Sequence, residues 1–201
     1  MTEPTLLIVG LGNPGTRYTN TRHNLGATWV TRLCSKYDVA LKLNNKLHAN
    51  LGILQHHIIC MLTNNYMNLS GISVNLVAKY YKLSVENILI IHDELDLLPG
   101  IIKLKLNGGH AGHNGLRNII QELNSNQFKR LRIGIGHPMI KGSVVDYVLN
   151  PPEEQEKTLI NSAIINSLDI LSLISKLDWQ ATMQSLDQLN NKLNNHISGE
   201  T

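Results

Sequence analysis

Apolar positions along this 201-residue chain switch between two rhythms, solid or every-second runs typical of strands and a three-to-four spacing typical of helices. Leu6 to Val9 is a short apolar run and reads as a strand. Leu25, Trp29, Val30, Leu33 and Tyr37 share one stripe, predicting a helix over His23 to Tyr37. Leu51 to Leu62 predicts a hairpin or two short strands. Ile72, Leu76, Val77 and Tyr80 predict a second helix reaching about Tyr81, with Ser70 as its N-cap. Asn87 to Ile91 is a continuous apolar run suited to a buried central strand, and it ends in His92-Asp93-Glu94.

The second half continues the pattern. Ile102, Leu104 and Leu106 alternate with Lys103 and Lys105, so a strand there sends both ammonium groups from one face. Gly108 to Gly115 is a glycine-histidine loop, and Leu116, Ile119, Ile120 and Leu123 mark the helix after it. Leu131, Ile133 and Ile135 alternate with Arg130 and Arg132 as another half-basic strand. Pro152 suits the first turn of a helix that runs on through Leu159, Ile160, Ala163, Ile164, Ser167 and Leu171. A last amphipathic helix covers Trp179 to Leu193. The expected architecture is α/β: a single domain over residues 1–195 with a twisted mixed β-sheet flanked by helices, a helical C-terminal tail, and a polar end at 196–201.

Composition narrows the function classes. No stretch reaches the roughly 18 consecutive apolar residues of a membrane span. Glu3 and Pro4 precede only a short apolar run, unlike a signal peptide, so the expected location is cytoplasmic with no membrane partner. Cys34 and Cys60 lack CxxC spacing, which points away from a disulfide framework or a zinc site. Net charge is only +3, but its placement is uneven. Between Leu97 and Asn150 stand Lys103, Lys105, Arg117, Lys129, Arg130, Arg132 and Lys141, against only Glu122 and Asp146. That segment is the candidate for a polyanionic partner.

Candidate chemistry centres on the loop from Gly10 to Asn24. Gly10-x-Gly12-x-x-Gly15 follows a strand and matches the dinucleotide-binding fingerprint, but that motif needs a helix starting at once. Pro14 and the polar run Thr16 to Asn20 oppose one, so nucleotide binding is the minor alternative. His110 and His113 have HxxH spacing, and His92, Asp93, Glu94 and Asp96 are possible metal ligands. A glycine loop nevertheless lacks the fixed helical face of a zincin site. His23 and Asp93 each lie near a strand end, where open α/β sheets place their crevices. A neutral imidazole held by a carboxylate is a good general base. Whether these two meet is not a question periodicity answers.

Five blocks together resemble the bacterial peptidyl-tRNA hydrolase family. They are Leu7-Ile-Val-Gly-Leu-Gly-Asn-Pro-Gly15 with Thr21-Arg-His-Asn24, Tyr66-Met-Asn-Leu-Ser-Gly71, His92-Asp-Glu-Leu-Asp96 with Pro99-Gly100, Gly108-Gly-His-Ala-Gly-His-Asn-Gly-Leu116, and Arg130-Leu-Arg-Ile-Gly-Ile-Gly-His-Pro138. The resemblance implies hydrolysis of the ester between a peptide and tRNA, recycling tRNA from aborted translation, with no metal and no cofactor. His23 would activate water and Asp93 would hold and polarise it. Asn13 would recognise the peptide near the scissile carbonyl. Asn68 and Asn114, with Met67, would bind substrate, the two amides also ordering the water, and Tyr18 and Tyr66 would contact the tRNA end. Lys103, Lys105 and Arg132 would meet tRNA phosphates. The expected partner is peptidyl-tRNA and the expected state a monomer.

One departure from the family pattern is present. Members commonly carry a proline and a threonine before the aromatic-Met-Asn block, whereas this chain has Thr63-Asn64-Asn65, which predicts a less rigid loop there. A second reading is an RNA-binding module that has lost its chemistry. The retention of Asn13, His23, Asp93 and Asn114 favours the enzyme.

Overall fold

A computed structural model describes residues 5–55, 57–138 and 144–198. In chain order its regular elements are β1 (Leu6–Gly10), α1 (Leu25–Lys36), β2 (Lys42–Asn44), β3 (Ala49–Leu54), β4 (Ile58–Thr63), α2 (Ser70–Tyr80), β5 (Ile88–Glu94), β6 (Ile102–Lys105), α3 (Asn114–Leu123), β7 (Lys129–Gly134), α4 (Val144–Leu149), α5 (Glu154–Ser167), α6 (Leu171–Ile174) and α7 (Trp179–Ser198). The strands form one seven-stranded mixed sheet in the order β2-β3-β4-β1-β5-β7-β6. β4, β1, β5 and β7 run parallel, while β2, β3 and β6 are antiparallel to their neighbours.

The solid apolar runs become the centre of the sheet because both of their faces are covered. Leu6 to Val9 and Ile88 to Ile91 are completely buried. Ile8, Leu89 and Ile91 pack with α1 and the C-terminal helices, whereas Leu7, Val9 and Ile90 pack with α2 and α3. The chain leaves β1 toward the β4 side of the sheet and β5 toward the β7 side, so a crevice opens at their carboxyl ends. Two glycines let α1 descend into that opening. A Cβ on Gly26 would overlap the Ile91 carbonyl, and one on Gly10 would overlap the carbonyl of Gly26.

Several expected boundaries shift. Ser70 is not a cap: a 3₁₀ turn at Met67–Leu69 precedes α2, and Ser70 lies buried inside the helix with its hydroxyl unpaired. Pro152 lies ahead of the helix, and Glu153 caps α5 in a reciprocal box with Glu156. Periodicity overlooked β2 and α4, which have three and six residues, because neither completes enough turns or alternations to register. α7 runs past the expected Leu193 to Ser198, while residues 199–201 of the expected polar end lie outside the described residues.

The stretch Glu154–Ile174 has the length and mean hydropathy, 1.2, of a membrane span. Its Ile160, Ala163, Ile164, Leu171 and Ile174 pack into the larger core, which accounts for the hydropathy. At the far edge of the sheet, Asn190 of α7 receives the Ile102 N–H at 3.1 Å and donates to the Ile102 carbonyl at 2.9 Å. One carboxamide thereby pairs both exposed backbone groups of an edge residue.

Candidate active site

Three imidazoles and one carboxylate meet at the carboxyl end of β5. Strand alternation sends His92 and Asp93 to opposite faces, and both are buried. His23 arrives on a 3₁₀ turn, Arg22–Asn24, that leads directly into α1. Its Nδ1 lies 3.0 Å from each Asp93 carboxylate oxygen. An ionised carboxylate only accepts, so Nδ1 carries the proton and Nε2 keeps its lone pair. Nε2 has no protein partner among the described residues, and His23 lines a cleft of about 510 Å³.

His113, set aside in the sequence as half of an HxxH pair, is the third member. It caps α3, with Nδ1 accepting the N–H of Gly115 at 3.1 Å and of Leu116 at 3.3 Å. Nδ1 is therefore unprotonated, and Nε2–H donates to Asp93 Oδ1 at 3.1 Å. Its position just before the Leu116 stripe is a cap position, which was the available signal. His23, Asp93 and His113 offer donor atoms within 4.8 Å of one another, the spacing of a cation site. The amides on His113 Nδ1 oppose that use. To ligate through Nε2 a neutral imidazole must carry its proton on Nδ1, where two N–H groups already point.

The electrostatics follow from this arrangement. Burial resists ionisation of Asp93, but the neighbouring His23 and His113 outweigh it and hold the carboxyl well below its ordinary range. Burial likewise pushes His23 down, yet the Asp93 charge and hydrogen bond more than offset it, leaving the imidazole above its ordinary 6.5. His92 differs: burial, with His113 and Arg130 adding to it against Asp93, takes it to about 3. It is a neutral packing group whose Nδ1 donates to the Asp93 carbonyl at 2.6 Å.

Asn13 reaches the cleft from the loop after β1. Its Oδ1 accepts the Met67 N–H at 2.8 Å, so its Nδ2 is the end free to donate. Asn24, which the sequence reading did not single out, grips the Asn13 backbone from both sides. It accepts the Asn13 N–H at 2.8 Å and donates to the Asn13 carbonyl at 2.9 Å. Asn68 and Asn114 join Asn13 and Met67 along the cleft, and both are solvent-accessible. Tyr18 and Tyr66 pack edge to face with ring centres 6.4 Å apart, outside the cleft lining. The Thr63-Asn64-Asn65 loop is tied down by its own groups. Asn65 Nδ2 donates to Ser73 Oγ at 3.1 Å, and the Asn64 N–H and Ser73 Oγ both bind the His48 carbonyl.

The basic strands lie beside the cleft rather than in it. Lys103 is in register with Arg132, and Lys105 with Arg130, so like charges face each other across β6 and β7. Such pairs are destabilising unless something answers them. Arg132 meets Glu94 at 2.7 Å, and Arg130 is buried, donating to the carbonyls of Gly108 and Gly109. Lys103 and Lys105 are exposed and have no ion-pair partner among the described residues. Lys141, part of the same basic segment, lies outside the described residues. The Gly10 to Gly15 pattern does not open onto a helix: a 3₁₀ turn at Thr16–Tyr18 follows, and α1 begins only at Leu25, so the nucleotide fingerprint lacks its helix terminus.

Known proteins similar to this chain all point to one family. The family profile described as peptidyl-tRNA hydrolase matches residues 7–195. The peptidyl-tRNA hydrolase of Nitrosomonas europaea is 48% identical over 189 residues, covering 92% of this chain and 97% of that protein. The peptidyl-tRNA hydrolase of Acinetobacter baylyi is 46% identical over 187 residues, covering 92% and 95%. A crystal structure of the Acinetobacter baumannii peptidyl-tRNA hydrolase superposes with a TM-score of 0.87 at 42% identity, covering 92% of this chain and 96% of that one.

Proposed function

The chain belongs to the peptidyl-tRNA hydrolase family and is a hydrolase of that kind, and from that premise we propose that His23 Nε2 activates the water that cleaves the peptide–tRNA ester. The carrying observation is that His23 Nδ1 is committed to Asp93 while Nε2 is left to the cleft. Nε2 takes a proton from water as the oxygen attacks the ester carbonyl. The imidazolium so formed is stabilised by Asp93 and returns the proton to the departing ribose oxygen, releasing a peptide carboxylic acid and tRNA with a free hydroxyl.

His113 holds the carboxylate from its other side, which keeps Asp93 ionised and aimed. Asn13 Nδ2 donates to the peptide close to the scissile carbonyl, and Asn68 and Asn114 hold substrate and water, a task suited to groups that donate and accept at once. Tyr18 and Tyr66 take the tRNA end, while Lys103, Lys105 and Arg132 take phosphates without reading bases. The protein acts as a cytoplasmic monomer, recycling tRNA from interrupted translation.

Hydrolysis of N-acetyl-aminoacyl-tRNA and unblocked aminoacyl-tRNA, measured side by side, tests the assignment, with release expected from the blocked substrate. His23→Ala should lower turnover by about 10²–10⁴ while tRNA affinity and fold persist. Near-normal turnover would remove His23 as the base. Binding without hydrolysis by the unaltered protein would identify an RNA-binding module instead.

A further inference from the structure

Arg22 is a buried charge that takes no part in the proton transfers proposed above. It precedes the catalytic histidine and is 4% exposed. Its Nη1 donates to the carbonyls of Tyr147 at 3.3 Å, Asn150 at 3.3 Å and Pro151 at 2.8 Å. Its Nη2 meets Glu156 Oε2 at 2.6 Å, and the guanidinium carbon lies 3.9 Å from the centre of the Tyr147 ring. The Arg22 backbone N–H also donates to the Asn150 carbonyl at 3.2 Å. These partners span the end of α4, the Asn150-Pro151 connection and the start of α5.

α4 needs that support. With six residues it is too short to persist alone, and its terminal carbonyls rely on groups beyond the helix: Tyr147 on the Asn150 N–H at 3.4 Å and on Arg22, and Asp146 on Asn150 Nδ2 at 2.7 Å. A cation at this end meets both the terminal acceptors and the negative pole of the helix. The opposite side of α4 forms a wall of the catalytic cleft through Val144, Val145, Val148 and Leu149. Val145 is 66% exposed, an apolar side chain placed where substrate would cover it.

The 3₁₀ turn explains how one short segment reaches both places. With three residues per turn, successive side chains leave about 120° apart. Arg22 therefore points to α4, His23 to Asp93, and Asn24 to the backbone of Asn13. We propose that Arg22 is a positioning residue that fixes the α4 wall relative to His23 and so sets the affinity of the cleft for the acyl end of the substrate. The inference rests on the function above in one respect, that substrate lies against α4.

Lysine cannot reproduce a planar group that spans three carbonyls, a carboxylate and a ring face. Arg22→Lys is expected to raise KM for N-acetyl-aminoacyl-tRNA by roughly tenfold or more, with kcat within about threefold and the pH inflection of kcat unmoved. Amide hydrogen exchange over residues 144–151 should accelerate in the same variant. Glu156→Gln, which leaves the carbonyl bonds intact, should show the same split at smaller size. If Arg22→Lys does not fold, Tyr147→Leu removes the stacked ring and should raise KM in the same way. An unchanged KM with slower kcat, a displaced pH inflection, or unaltered exchange at 144–151 would overturn the assignment. The exchange measurement needs no turnover, so it judges Arg22 even if the unaltered protein fails to hydrolyse the substrate, an outcome that would refute the function and not the anchor.

Discussion

The two ends of the proposed substrate site are built on opposite physical terms. Around Asp93 the carboxylate itself is buried and matched: two imidazoles donate to it, each with its tautomer set by a second contact or by the carboxylate. On β6, Lys103 and Lys105 are exposed, and Arg132 and Arg130 of β7 face them in register. Buried bonds to a charged group resist salt and cost heavily when half removed. Exposed charges act at longer range, are screened, and tolerate inexact placement. Bond cleavage needs the first kind of site, and gathering a polyanion needs the second.

The sharpest way to break this contrast is at the carboxylate. Asp93→Asn should lower kcat/KM by roughly 10²–10⁴, because the imidazolium loses its counter-charge and the His23 tautomer is no longer enforced. The same variant should move the acidic limb of the pH profile to lower pH, since burial then acts on His23 without the opposing charge. A limb that stays in place would mean that another group titrates.

In the unaltered protein the sign is fixed by the need for a neutral base. His23 is protonated below a pKa raised above 6.5, so kcat/KM should fall as pH drops through an inflection above that value. A flat rate between about pH 6 and 8 would contradict the base assignment. His92, at about 3, contributes nothing in that window.

The smallest effect belongs to the basic edge. Lys103→Ala combined with Lys105→Ala should weaken tRNA binding at low salt and reduce the slope of log K against log salt by about 2, leaving kcat at saturation unchanged. An unchanged slope would show that these ammonium groups do not meet phosphates.

Much of this fold was legible because it is local. The apolar runs at Leu6 and Ile88 had to be interior strands, and the Leu25 to Leu33 stripe had to be a helix, for reasons of backbone period alone. The motif blocks carried the family and most of the cleft, including His23, Asp93, Asn13 and Asn114. His113 was read only as half of an HxxH pair, and three residues escaped notice: Asn24, Arg22 and Asn190. Each works by holding another segment, and a holding residue has no pattern of its own; Arg22 and Glu156 lie 134 positions apart in the chain.

By itself the sequence determined the longer elements, the burial of the central strands, and the kind of chemistry available, since period and residue type are properties of neighbouring positions. Tertiary structure alone decided that His23 would meet Asp93 through Nδ1, that His113 would be the second donor, and that Arg22 would face away from both. Those outcomes depend on α1 settling against bare backbone at Gly10 and Gly26, and on a three-residue turn fanning its side chains in three directions. Distances between remote segments are set by packing, and packing is not written in any one stretch of chain.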